Sequence, residues 1–165
     1  METLKITGSR FKYDGLYSLS SYYNLLYDVF RTMGYDVEEW KYRNKLGPDG
    51  TTVELELFWI ARRKVDNYAR ILINCKTLIV TMSKQQTQID GKPVMRDKGT
   101  LELELKVAVE IDYDNKWMIN PIFNQLRRIY NNVLYKPALN VIKGKAAGEM
   151  GKVDSEMKAF FNMQG

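Results

Sequence analysis

The chain has 165 residues, no histidine and a single cysteine, Cys75. Without histidine there is no imidazole base for a serine or cysteine nucleophile and no His-ligated zinc, and one thiol cannot build a thiolate metal cage. The net charge of +5 is uneven: residues 120–165 carry seven Lys or Arg against three Asp or Glu, whereas residues 1–119 carry 18 against 17. These totals predict one globular domain with a basic C-terminal region, and neither a metal nor a cofactor.

The hydropathy of the chain predicts where the protein resides. Residues 1–8 lack the apolar core of a signal peptide, and no apolar run reaches the length of a membrane span. Cys75 follows the apolar residues 71–73, which predicts a buried structural thiol rather than a reactive one. We therefore expect a cytoplasmic protein without an integral membrane segment.

The N-terminal half alternates between strand and helix patterns. Residues 2–13 predict a first strand, which the turn signal Asp14-Gly15 ends. From Ser18 to Met33 apolar residues recur every three or four positions, as on one side of a helix, and Gly34 suits its C-terminal cap. Three further strands are predicted, over residues 35–45, 53–61 and 68–82, the middle one with a clear period of two.

The C-terminal half predicts a hairpin, a long strand and a long helix. Asp90-Gly91 is a hairpin signal within a polar segment, and residues 101–113 are apolar at every second position. Asn120-Pro121 predicts the start of a helix over residues 122–134, which Pro137 would kink or end near Tyr135 and which residues 138–147 could resume. A shorter amphipathic helix is predicted beyond it, with its apolar side formed by Val153, Met157, Phe160 and Phe161.

These elements predict an α+β fold in which a curved antiparallel sheet packs on a long C-terminal helix, with an N-terminal helix after the first strand. We expect one domain over residues 1–143 and an amphipathic tail over residues 144–165. The tail has two interpretations, since it could pack back on the domain or dock on a partner or an anionic membrane surface.

Catalytic motifs give little support to an enzyme. The pairs Glu54/Glu56 and Glu102/Glu104 each lie on the polar side of an alternating strand, where carboxylates are usually solvated. The glycines do not form a phosphate-binding loop of known spacing. We expect neither carboxylate pair to be catalytic.

The element order resembles the START-like helix-grip superfamily, which includes polyketide cyclases, plant pathogenesis-related class 10 proteins and coenzyme-Q-binding proteins. The strand over residues 101–113, followed by Trp117, Pro121 and the helix over residues 122–134, carries this resemblance, which covers most of residues 2–136 as topology. It implies an apolar cavity between the sheet and the long helix that encloses a hydrophobic small molecule or lipid. By position, the inward residues would be Trp59, Leu103, Val107, Leu126 and Tyr130.

Two main functional hypotheses follow. A third, which has the least support in the sequence, is a cyclase or hydrolase that uses tyrosines and carboxylates. The first is a non-catalytic binding protein for a hydrophobic small molecule or lipid. The alternative is an adaptor that binds RNA, a ribonucleoprotein or a protein partner through its basic C-terminal region. Its nucleic-acid-binding residues would be Arg127, Arg128, Lys136, Lys143 and Lys145.

Overall fold

The computed structural model describes residues 1–116 and 121–164. The predicted helix cap Asn120 and the neighbouring Trp117 lie outside these residues. The elements in chain order are β1 (Glu2–Tyr17), α1 (Leu19–Thr32), β2 (Asp36–Leu46), β3 (Thr52–Lys64), β4 (Ala69–Ile89), β5 (Lys92–Ile111), α2 (Pro121–Ile129), a π-helical segment (Tyr130–Leu134) and α3 (Lys136–Asn162).

The five strands form one curved sheet in the order β1-β5-β4-β3-β2, and every neighbouring pair is antiparallel. β5 lies between β1 and β4, so that Leu103 is opposite both Phe11 and Thr77. Register shifts on β1, β2 and β4 interrupt the regular pairing. The predicted α+β fold is confirmed, and the antiparallel sheet with its long C-terminal helix is compatible with a helix-grip topology.

The hairpin predicted at Asp90-Gly91 joins β4 to β5. Both residues have positive φ angles, 51° for Asp90 and 76° for Gly91, as a tight two-residue turn requires. The polar segment around this turn is therefore the continuation of both strands, which pair as far as Ile89 and Lys92.

α1 and α3 cover one side of the sheet, and the core lies between them and the alternate residues of β3, β4 and β5. The period of two in β5 is confirmed, because Leu101, Leu103, Leu105, Val107, Val109 and Ile111 are all buried. α1 contributes Tyr22, Leu26 and Phe30 to the same core. The start of α1 is capped, because the Ser18 hydroxyl accepts a hydrogen bond from the Ser21 amide at 3.3 Å.

The identity of the long C-terminal helix differs from the prediction. The sequence placed it over residues 122–134, with a kink or an end at Pro137 and a continuation over residues 138–147 as an alternative. The long helix is instead α3, in which Pro137 stands in the first turn. Proline is tolerated there because the first amides of a helix have no intrahelical partner. α3 continues across the predicted boundary between residues 143 and 144, and it buries Val153, Met157, Phe160 and Phe161 in the core.

The predicted orientation of the helix over residues 122–134 was also wrong. Its apolar side was expected to face the sheet, yet the large side chains of α2 and the π-helical segment are exposed. They are Ile122, Phe123, Leu126, Ile129, Val133 and Leu134. The physical reason is competition, because α3 presents a longer apolar side and takes the place against the sheet.

Candidate anion-binding site

Of the five residues predicted to line an apolar cavity, three lie together in the core. Trp59, Leu103 and Val107 are buried in the core. Leu126 is exposed on α2, and Tyr130 is half-buried in the π-helical segment.

The buried member Trp59 is held by polar and aromatic contacts. Its indole nitrogen donates a hydrogen bond to Glu39 Oε2 at 2.8 Å, and its ring meets Tyr23 edge-on at 4.7 Å between centroids. Tyr130 packs instead on two other tyrosines, with centroids 5.4 Å from Tyr68 and 5.6 Å from Tyr135. Trp59 and Tyr130 therefore have different aromatic neighbours.

The basic residues of the alternative hypothesis do converge. Arg127, Arg128, Lys136 and Lys143 line one pocket of about 540 Å³, whereas Lys145 is exposed and is not among its lining residues. The pocket lies where the start of β1 and the end of β5 meet α2, the π-helical segment and α3. Its remaining lining residues are the carboxylate Glu2, the amides Asn131, Asn132 and Asn140, and the apolar Leu4, Ile111 and Leu139.

The helical repeat explains why these side chains meet. On α3, residues 136, 139, 140 and 143 are separated by three or four positions and so lie on one side of the helix. Arg127 and Asn131, four positions apart, occupy the inward side of α2 and the π-helical segment. Lys136, Asn140 and Lys143 could have been recognised from this spacing, but Glu2 could not, since 125 residues of chain separate it from Arg127.

Arg127 is the electrostatic centre of the pocket. Only 9% of its surface is exposed, and its Nη1 lies 3.5 Å from Glu2 Oε2. Its Nε and Nη1 atoms donate no hydrogen bond to any part of the chain that the structure describes. A buried guanidinium with unused donors is costly unless an anion accepts from it, and one carboxylate here faces four cations.

The wall of the pocket is fixed by a second set of contacts. The Tyr68 hydroxyl donates a hydrogen bond to Asn131 Oδ1 at 2.6 Å, and the Tyr135 hydroxyl donates one to Asp66 Oδ2 at 2.7 Å. Burial raises the pKa of both tyrosines, so these hydroxyls keep their protons and continue to donate at neutral pH. The helical segment is thereby tied to the β3–β4 turn.

A second pocket, of about 380 Å³, lies between α1 and the helix-facing side of β3. Leu55, Leu57 and Tyr23 are among its lining residues, and the carboxylate of Asp97 lies at one end. Asp97 is buried; it accepts a hydrogen bond from the Leu19 amide at 2.9 Å and pairs with Lys84 at 2.5 Å. Apolar walls with a few polar groups are typical of small-molecule sites.

The other groups considered for chemistry have structural partners. Glu56 pairs with Lys41 at 2.6 Å, and a hydrogen bond from Lys41 lowers its pKa; Glu104 pairs with Lys106 at 3.0 Å, with the same effect. Cys75 is buried as predicted, and burial raises the pKa of its thiol to about 12. Within residues 1–116 and 121–164, no three histidine, cysteine or acidic side chains cluster as metal ligands would.

Comparison with known proteins does not identify the chain. No protein-family model matches it, and no curated protein is detectably similar to it. Among the described helices, none combines the length and apolar character needed to cross a membrane.

Proposed function

We propose that this protein is a non-catalytic binding module that holds a phosphate group of RNA in the basic pocket around Arg127. The observation that carries the proposal is the convergence of Arg127, Arg128, Lys136 and Lys143 on one pocket. Between residues 115 and 148 the chain contains six Lys or Arg residues and not one Asp or Glu. The proposal places the protein in the cytoplasm, as the sequence predicts.

The chemistry of the pocket suits a phosphate. A guanidinium presents paired donors that match phosphate oxygens, and lysines add charge without fixing orientation. The amides of Asn131, Asn132 and Asn140 supply further neutral donors at the same pocket. Phosphate contacts of this kind give affinity and register on a nucleic acid rather than base sequence.

The test uses fluorescence anisotropy of the whole protein with a labelled single-stranded RNA over a range of KCl concentrations. Arg128→Gln and Lys143→Gln should each weaken binding and reduce the slope of log K against log salt by about 0.7, the value for one phosphate contact on a single strand. Lys92→Gln is the matched control, because this exposed lysine lies at the opposite end of β5 from the pocket.

Competition separates RNA from smaller phosphorylated ligands. If a mononucleotide or inorganic phosphate displaces the RNA at concentrations near the RNA dissociation constant, the pocket serves a small phosphorylated molecule. If the RNA affinity is insensitive to salt, or if Lys92→Gln weakens it as much as Lys143→Gln does, the assignment of the pocket is wrong.

We also propose a second candidate, in which the chain is a divergent START-like helix-grip protein that binds a hydrophobic small molecule or lipid. The compatible topology and the apolar pocket beside Leu55 and Leu57 support it. The test is native mass spectrometry of the protein from its own cells. Asn24→Trp, on the exposed rim, should expel a co-purifying apolar molecule, whereas Asp28→Trp, one turn further along α1, should not; a protein without any such molecule would contradict this candidate.

A further inference from the structure

The largest exposed apolar feature of α2 and the π-helical segment is a row of five side chains, here called the exposed stripe. Each is between 47 and 70% exposed. A helix in a globular protein normally turns such a row toward the core, so its outward position calls for an occupant. The exposed stripe consists of Phe123, Leu126, Ile129, Val133 and Leu134.

The outward position of the stripe is set by polar contacts on the opposite side of the same segment. Arg127 is turned inward to Glu2, and Asn131 accepts a hydrogen bond from the Tyr68 hydroxyl. Rotating the segment to bury the stripe would break both contacts and move the buried guanidinium out of its pocket. The stripe is therefore presented to whatever lies outside the molecule.

The charge around the stripe selects the kind of occupant. Within the acid-free stretch over residues 115–148, four cations are exposed, namely Lys116, Arg128, Lys136 and Lys145. A second copy of the chain would bring an equally basic segment against this one, and like charges oppose such a contact. RNA offers negative charge but no apolar depth for five large side chains.

We infer that the exposed stripe docks on the surface of an anionic lipid bilayer. A helical segment of 13 residues, from 122 to 134, is about 20 Å long and lies along the membrane plane. The stripe enters the boundary between headgroups and acyl chains, while the exposed cations meet anionic headgroups. The exposed stripe is separate from the basic pocket, whereas Arg128 and Lys136 are shared with the RNA proposal.

The test is co-sedimentation of the whole protein with vesicles of phosphatidylcholine alone or with roughly a quarter of phosphatidylglycerol, an anionic content that attracts basic segments. The wild type should sediment with the anionic vesicles only. Leu126→Gln/Ile129→Gln should lose at least tenfold in partitioning, since it removes two apolar side chains without changing charge. Val141→Gln is the control, because Val141 is also an exposed apolar residue but lies on α3.

A fluorescence measurement reports insertion directly. Phe123→Trp should show an emission shift to shorter wavelength with anionic vesicles, measured as the difference from wild type, whose own tryptophans contribute a background. The pocket variant Lys143→Gln, combined with Phe123→Trp, should keep this shift, which separates the membrane surface from the RNA site.

Three results would overturn the inference. They are a wild type that stays in solution with anionic vesicles, a stripe variant that sediments as the wild type does, and a concentration-dependent dimer that Leu126→Gln/Ile129→Gln converts to a monomer. The last result would assign the stripe to a second copy of the chain.

Discussion

Glu149 connects α3 to the rest of the fold through hydrogen bonds and an ion pair. Its two carboxylate oxygens accept hydrogen bonds from Arg63 Nη2 at 2.7 and 2.8 Å, and one also accepts from the Tyr35 hydroxyl at 2.6 Å. Arg63 also donates to the Met33 carbonyl oxygen at 3.1 Å. One side chain of α3 thus joins β3 and the residues that follow α1. The pKa of Tyr35 is raised, mainly by burial and to a lesser extent by the hydrogen bond to Glu149.

We expect Glu149→Leu to reduce the free energy of unfolding by roughly 2–4 kcal/mol, because it leaves Arg63 and Tyr35 without their acceptor in a largely buried position. Urea denaturation followed by tryptophan fluorescence measures the change. Glu156→Leu, at an exposed position of the same helix, is the control and should change it little.

The double variant Glu149→Leu/Arg63→Met isolates the ion pair from the helix itself. It should recover part of the loss, since replacing both partners by apolar groups removes the unpaired charge. A Glu149→Leu protein within about 0.5 kcal/mol of the wild type, the usual size of a surface substitution, would show that the network is dispensable.

Residue patterns predicted the buried side of β5 but not these long-range contacts. In β5 the side chains alternate between the two sides of the sheet with a period of two, and Leu103 and Val107 are on the buried side. Arg63 and Glu149 are 86 residues apart, and no local pattern indicates that they meet. The basic pocket could be predicted only in part. Its excess of positive charge comes from one stretch of sequence, whereas its carboxylate, Glu2, comes from the other end of the chain.

At the scale of elements, α3 shows why the sequence assigned the long helix to the wrong segment. Its apolar side runs from Leu139 to Phe161, but the helix also contains Gly144, Gly148 and Gly151. Because glycine has a low helix propensity, these residues weaken the sequence pattern that predicts a helix. The segment over residues 122–134 has no glycine and a denser apolar side. Pro137 fits the end of one helix as well as the start of another, so the pattern alone favoured the wrong helix.

The three glycines of α3 offer a way to strengthen this element. A Cβ atom added at Gly144, Gly148 or Gly151 would meet no neighbouring atom within 4 Å. We expect each change to alanine to raise the free energy of unfolding by about 0.5–1 kcal/mol, because alanine loses less backbone entropy in a helix. Thermal denaturation of the triple variant measures the sum.

Gly99→Ala is the opposing control for this series. A Cβ at Gly99 would lie 3.0 Å from the Val80 carbonyl oxygen and 3.2 Å from the Thr81 carbonyl oxygen, so that variant should be destabilised. If the triple variant melts at or below the wild-type temperature, the glycines of α3 have a role that the helix geometry does not explain.

At the scale of the whole molecule, one short segment carries both proposed surfaces. α2 and the π-helical segment turn Arg127 and Asn131 inward to the basic pocket and the exposed stripe outward. The segment can adopt this arrangement only because α3 supplies the apolar layer over the sheet. The stability of the fold and the presentation of both surfaces therefore depend on the C-terminal helix.

That dependence extends to the residues predicted as a tail. Beyond residue 143, α3 buries Met150, Val153, Met157 and Phe161 among its core side chains. The ring of Phe161 stacks on Tyr13 with 4.7 Å between centroids, so the last turns of α3 lie against β1. These residues belong to the core that holds the sheet and helices together.

Deleting residues 144–165 should therefore abolish cooperative folding rather than remove only a binding surface. Each large apolar side chain stabilises the fold by about 1.5–3 kcal/mol, so the loss is on the order of 10 kcal/mol, as large as the whole stability of a typical domain. Deleting only residues 163–165 should lower the melting temperature far less, since Met163 is exposed and contributes only backbone hydrogen bonds to the end of α3. Circular dichroism and amide NMR dispersion measure both, and a cooperative unfolding transition in a chain ending at residue 143 would show that residues 144–165 are a separable tail.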